Sequence, residues 1–203
     1  MTIMPSVPAG SPAERYFAAR LPDRPLRLGC RRSHLARAYA RRVIDALHRV
    51  APGLPVELVE IITSGDRHKG DLSTLGGKGA FMKEIDRALM LGEIDMAMHA
   101  MKDVPGDVPL PEGLVFAAYL EREDVRDCVI WREGSKYAGI DDLPPGASIG
   151  TSAVRRKAQI LRHRPDLQVE RFRGNVVTRI AKLDDSDHLE GIVLSRTGVV
   201  NVG

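Results

Sequence analysis

The side chains best suited to chemistry are basic, and they recur just after short apolar runs. Arg31-Arg32-Ser33 follows PLRLGC (25–30), and Lys102-Asp103 follows IDMAMHA (94–100). Thr151-Ser152 and then Arg155-Arg156 follow ASIG (147–150). Arg173 and, one and a half helical turns on, Arg179 follow the run at 167–171. Guanidinium forks match carboxylates bidentately, and helix N-termini add N–H donors with partial positive charge. Such a set suits a small molecule bearing several carboxylates. Asp103 is the one acid among these bases. It is expected to stay ionised and to hold a cationic or N–H group of the ligand rather than act as a general acid. His99 reads as a core histidine. No His/Cys/Asp/Glu spacing suggests a metal. Gly76-Gly77-Lys78-Gly79 lacks the P-loop frame and reads as a glycine-hinged lid.

The apolar runs are the elements that must position these groups. Strands are expected at 25–30, 55–62, 94–100, 114–119, 127–131, 147–150, 167–171 and 190–195. A helix capped by Ser33 carries Leu35, Ala36, Ala40, Val43, Ile44 and Leu47 at helical period and ends at Pro52-Gly53. A second carries Phe81, Ile85, Ala88 and Leu89 on one face. A third starts at Thr151-Ser152 and runs through Leu161, and a fourth opens at Gly174-Asn175 and reaches about Leu183. Alternating strands and helices imply an α/β fold with mostly parallel sheets, in which loops after the strands share one edge. Pro105, Pro109 and Pro111 punctuate a crossing between two βαβ domains, with a ligand cleft expected between them. The expected division is a loose N-terminal arm at 1–24, a first α/β domain at 25–105, a second at 110–195 and a truncated end at 196–203.

Composition narrows the class. The 203 residues are 43% hydrophobic and 28% charged, ordinary for a globular protein. A net charge of +3 and an aromatic content of 4% argue against a nucleic-acid partner, because stacking platforms are scarce. No apolar run approaches the roughly twenty residues of a bilayer span, and residues 1–24 lack the apolar stretch of a secretory signal. Two isolated cysteines, Cys30 and Cys128, suit a reducing compartment, so a cytoplasmic location is expected.

Several blocks in order carry a resemblance. They are GGKGAFMKEID (76–86), DMAMHAMKDVP (95–105), EREDVRDC (121–128), GTSAVRR (150–156), HRPDL (163–167) and RGNVVTRIAKL (173–183). From about Leu26 to Leu194 the chain resembles the first two domains of porphobilinogen deaminase (hydroxymethylbilane synthase). The resemblance implies two domains of periplasmic-binding-protein type and a transferase of tetrapyrrole (porphyrin, heme) biosynthesis. Such an enzyme joins porphobilinogen units, each bearing an acetate and a propionate, and releases ammonia at each step. It implies that Asp103 contacts pyrrole N–H groups and stabilises the azafulvene cation formed as ammonia leaves. It also implies that Arg31, Arg155, Arg156, Arg173 and Arg179 bind substrate and cofactor carboxylates. Ser33, Lys78, Phe81, Lys102, Thr151 and Ser152 complete the substrate-binding set.

The departures fall on the family's cofactor. The resemblance implies a dipyrromethane primer thioether-linked to a cysteine of a third domain, and no cysteine here matches that anchor. The chain is expected to stop short of that domain and of the segment that completes domain one. Thr74 stands where a lysine is expected, Ala100 and Ala153 replace serines, His34 replaces a proline, and Val200-Asn201 stand for Lys-Arg. Cys30 reads first as a small buried residue at a strand end; as a substitute anchor it is a better candidate than Cys128, because it adjoins Arg31, would face the cleft and would favour the thiolate. Three readings stay open. The chain is an enzyme working with a separate third-domain protein or a free acceptor, a non-catalytic pyrrole or carboxylate binder of two domains, or an inactive truncated homologue.

Overall fold

The computed structural model describes residues 10, 12–20, 24–68 and 79–202. The chain divides into two compact units, residues 1–120 and 121–203.

Unit 1 is built on a three-stranded parallel sheet. Strand β1 (Leu26–Arg31) lies between β2 (Val56–Ile61) and the two-residue β3 (Met96–Ala97). Strand alternation turns Leu26, Leu28 and Cys30 of β1 to one face. There Leu28 and Cys30 pack under helix α2 (His34–Val50), through Ala40, Val43 and Ile44, while Leu26 packs with Ala51 and Leu54. Ser33 caps α2 by accepting from the Ala36 amide at 3.2 Å, as its position predicts. The opposite face carries Ile94 against Ile85 and Ala88 of helix α4 (Lys83–Met90).

Three expectations need correction in this unit. The N-terminal arm is not wholly loose, since Pro12–Arg20 form helix α1, whose Ala13 and Phe17 cover the Leu26, Ala51 and Leu54 cluster. The run at 94–100 pairs only over Met96–Ala97 and then turns into a 3-10 segment at Met101–Asp103. The run at 114–119 is not a strand. Among the described residues it has no partner strand, and its Val115, Phe116 and Tyr119 are exposed.

Unit 2 holds a four-stranded sheet in the order β4-β7-β5-β6. Strands β5 (Ser148–Thr151), β6 (Gln168–Arg171) and β7 (Leu189–Ser195) are parallel, and β4 (Asp127–Trp131) runs antiparallel to β7. Helix α5 (Val154–His163) packs Ile160 on Ile149, Val169 and Val193. Helix α6 (Val176–Asp184) covers the other face through Val176 and Leu183 against Ile192 and Leu194. Thr151 ends β5 rather than opening a helix, and Ala153 stands at the N-cap of α5. A short helix α7 (Arg196–Val200) follows β7, in the segment read as a truncated end.

Candidate functional site

In a parallel sheet the carboxyl edge of the strands collects the residues that follow them. In unit 1 that edge brings together Arg31, Asp66, Phe81 and Asp103. Arg31 Nη2 lies 2.5 Å from Asp66 Oδ1, and Arg31 Nε reaches both carboxylate oxygens at 3.2 and 3.3 Å. Its guanidinium also stacks over the Phe81 ring, 4.0 Å from the centroid, and Nη1 lies 3.9 Å from Asp103 Oδ2. Asp103 is one-quarter exposed. Ser33 follows Arg31 as the α2 cap, and Lys102 is exposed beside Asp103.

Asp66 is a site residue that sequence reasoning missed. It sits in a one-turn helix, α3 (Ser64–Arg67), closed by a capping box. Thr63 Oγ1 accepts from the Asp66 amide at 3.3 Å, while Asp66 Oδ2 accepts from the Thr63 amide at 3.2 Å and from its hydroxyl at 2.8 Å. The Thr-x-x-Asp spacing at 63–66 was the signal that could have found it. Burial raises the Asp66 pKa, but hydrogen bonds from Arg31 and Thr63 outweigh it and leave the group below the usual carboxylate range. Gly65 is required here, because a Cβ at that position would stand 2.3 Å from the Phe81 ring.

In unit 2 the edge gathers Thr151, Ser152, Arg155, Arg156, Arg173 and Arg179. Asn175 caps α6 by accepting from the Thr178 amide at 2.8 Å, which puts Arg179 on the first turns of that helix. Arg179 Nη1 donates to Ser152 Oγ at 3.2 Å. Its buried Nε has no hydrogen-bond partner among the described residues. Burial, then repulsion from Arg156 and Arg173, bring its pKa down to about 10. Arg155 is exposed on the first turn of α5.

Arg156 has another duty than the one expected of it. Its side chain is only 7% exposed, its Nη2 lies 2.7 Å from Asp127 Oδ1, and its Nε lies 2.9 Å from Asp127 Oδ2. The pair ties α5 to β4, so this guanidinium is committed within the fold. Asp127, in the EREDVRDC block, is the second residue that sequence reasoning missed.

Cys30 is the buried strand-end residue of its first reading, and the thiolate alternative fails. Strand alternation points it into the α2 core, it is fully buried, and Sγ donates to the Arg31 carbonyl at 3.3 Å. Burial first, then the Glu60 charge, push its pKa up to about 11, so it is a thiol rather than a thiolate. Lys78, Thr74 and most of the expected lid lie outside the described residues. Among the described residues, no group of three or more His, Cys, Asp or Glu could hold a metal. No described helix is long and apolar enough to cross a membrane.

The two sheets with their strand-end guanidiniums define an α/β protein of mostly parallel strands. A family model described as porphobilinogen deaminase, dipyromethane cofactor binding domain, matches residues 26–203. The chain belongs to the porphobilinogen deaminase family. It is 51% identical over 179 residues to porphobilinogen deaminase of Geobacter metallireducens, covering 88% of this chain and 54% of that protein. It is 44% identical over 178 residues to porphobilinogen deaminase 2 of Streptomyces coelicolor, covering 88% and 56%. It is 46% identical over 177 residues to the Geobacillus kaustophilus deaminase, covering 87% and 55%. The chain thus spans about half the length of the curated relatives it matches.

Proposed function

We propose that this chain is the substrate- and cofactor-binding part of a cytoplasmic porphobilinogen deaminase. In this reading it binds porphobilinogen and supports transfer of its pyrrolylmethyl group with release of ammonia. The observation that carries the reading is Arg179. A half-buried guanidinium whose buried Nε is unpartnered among the described residues, and which two neighbouring arginines repel, is costly unless an anion completes it. Arg179, Arg173 and the exposed Arg155 take the acetate and propionate of the ligand, with Ser152 as a further donor. The same donors fit the carboxylates of a dipyrromethane. When bound, that group supplies the free pyrrole α-carbon that accepts the new unit.

The chemistry asked of the protein is electrostatic. As the aminomethyl C–N bond breaks, nitrogen leaves with the electron pair as ammonia, and the pyrrole nitrogen lone pair closes an azafulvene cation. Asp103 holds the pyrrole N–H and offsets that positive charge. A dipyrromethane held by these residues would supply the α-carbon nucleophile for that methylene and would give up its α-proton as the new bond forms. Arg31, saturated by Asp66 and stacked on Phe81, orients Asp103 more than it binds substrate. Lys102, Ser33 and Thr151 shape the two edges, and Lys78 belongs to the same set by family resemblance.

The anchor is not a cysteine of this chain. Cys30 is a buried thiol, and burial raises the pKa of Cys128 as well. In this reading the primer is carried on a third domain, of the same or a separate polypeptide. Calorimetric titration with porphobilinogen tests the reading. Micromolar-range binding that weakens at least tenfold in Arg179→Met is expected, and equal affinity in the two would refute it.

A further inference from the structure

We infer that Asp66 is a positioning residue for Asp103: by holding the side edge of the Arg31 guanidinium, it keeps that cation from closing on the Asp103 carboxylate. The inference rests on the role proposed for Asp103. A guanidinium offers carboxylates its Nε–Nη2 side and its Nη1–Nη2 end. Asp66 takes the side. Its Oδ1 accepts from Arg31 Nη2 at 2.5 Å and from Nε at 3.2 Å, and its Oδ2 accepts from Nε at 3.3 Å. The end faces Asp103, where Nη1 stands 3.9 Å from Oδ2. At that distance the charges attract, but no hydrogen bond forms. Arg31 thus leaves the Asp103 oxygens open to a ligand N–H.

Asp66 is itself fixed from behind. Thr63, fully buried, donates to Asp66 Oδ2 from its hydroxyl at 2.8 Å and from its amide at 3.2 Å. That turns Oδ1 toward Arg31. The one-turn helix α3 is docked on the segment that opens α4. The Ser64 amide donates to Glu84 Oε1 at 2.8 Å, the Ser64 hydroxyl to the Ala80 carbonyl at 3.1 Å, and the Gly65 amide to the same carbonyl at 2.8 Å. The next residue, Phe81, supplies the ring under Arg31. One short stretch, 80–84, therefore sets both the carboxylate that holds Arg31 and the ring on which it lies. The Asp103 side is fixed as well, since the Asp103 amide donates to the Ala100 carbonyl at 2.8 Å and the Val104 amide to the Met101 carbonyl at 3.2 Å. Between two anchored carboxylates, the arginine on its long stem is the part able to move. Without Asp66, the carboxylate left within ion-pair reach of Arg31 among the described residues is Asp103. A direct pair there would occupy the oxygens that serve the pyrrole N–H and offset the charge that serves the azafulvene.

Crystal structures of the ligand-free parent and of Asp66→Ala read this without substrate or turnover. In the variant, Arg31 should swing from residue 66 and come within about 3 Å of Asp103. An Arg31 that keeps its parental distance from Asp103 overturns the inference. Should Asp66→Ala not fold, Asp66→Asn decides. It keeps an acceptor for the Thr63 amide but lacks the charge, so Arg31 must again move to Asp103. Ammonia release, with the third domain or a pyrrole acceptor supplied, then reads the consequence. In Asp66→Ala, kcat should fall about tenfold while KM changes less than about threefold. Arg31→Gln with Asp66→Ala should be no slower than Arg31→Gln alone, because no cation remains to close on Asp103. A double variant that loses a further tenfold marks an independent structural role for Asp66 and overturns the inference. Absence of ammonia from the parent would sink the proposed function, and the two crystal structures would still decide where Arg31 goes.

Discussion

Arg156 and Asp127 form a two-pronged ion pair, at 2.7 and 2.9 Å, that joins the first turn of α5 to the start of β4. The arginine is 7% exposed and the aspartate 41%. Removing the carboxylate leaves a buried guanidinium with only the Val193 carbonyl, 3.5 Å away. A buried pair broken on one side typically costs 3–5 kcal/mol, and water at Asp127 reduces that. Asp127→Asn should therefore destabilise unit 2 by about 2 kcal/mol in urea unfolding. Porphobilinogen affinity of the folded fraction should change less than threefold.

Arg179 should behave in the opposite way. Truncating it to methionine removes a half-buried charge that Arg156 and Arg173 repel, so the unliganded protein should melt at the same temperature or higher. Ligand affinity should fall at least tenfold. The trade of stability for binding is the signature of a functional charge, and scanning calorimetry with and without porphobilinogen reads both sides.

Gly65 lets Phe81 close over α3. A methyl group there would stand 2.3 Å from the ring and 2.9 Å from the Ala80 carbonyl. Gly65→Ala should cost about 1–3 kcal/mol as an overpacked site. It should also displace Phe81 from Arg31, visible as a shift of the Phe81 ring resonances.

Acid stability follows from three groups of the same sign, since each has a folded value below its ordinary one and each loses stability as pH falls. Asp95, bonded to Arg24, to Arg27 and to the Arg27 amide, is held well below the usual carboxylate range, chiefly by Arg24, and Asp66 is lowered by Arg31 and Thr63. Their contributions are complete above the ordinary Asp value near 4 and are lost as pH falls through their lower folded values. His99 works higher. Because its folded value is depressed, the unfolded chain binds its proton first, and stability falls as pH drops through about 6.5. Asp95→Asn should cost about 1–2 kcal/mol near neutrality, allowing for solvent screening at Arg24, and should flatten the acid limb below pH ~4. His99→Gln should flatten the shoulder near 6. Chemical denaturation across pH checks both.

The strand ends were legible because period-2 apolar runs and caps such as Ser33 and Asn175 are local signals, and parallel topology then puts the following residues on one edge. That reasoning placed Arg31, Asp103, Thr151, Ser152, Arg173 and Arg179. It failed where the deciding contact is distant in sequence. Asp127 lies 29 positions from the Arg156 it neutralises, and Asp66 lies 35 from Arg31. The apolar run at 114–119 has strand composition, but a strand exists only through a partner. The reading of Cys30 as a small buried residue at a strand end holds, because alternation turns residue 30 to the face opposite residue 31.

The account rests most heavily on Asp103, and ammonia release on incubation with porphobilinogen tests it most directly, with intact mass followed in parallel. The parent, supplied with the third domain or a pyrrole acceptor, should release ammonia without a mass increase at Cys30 or Cys128. Asp103→Asn should bind and melt like the parent while releasing ammonia at least a hundredfold more slowly. Equal rates in the two proteins, or bound porphobilinogen with no ammonia from the parent, would contradict the account.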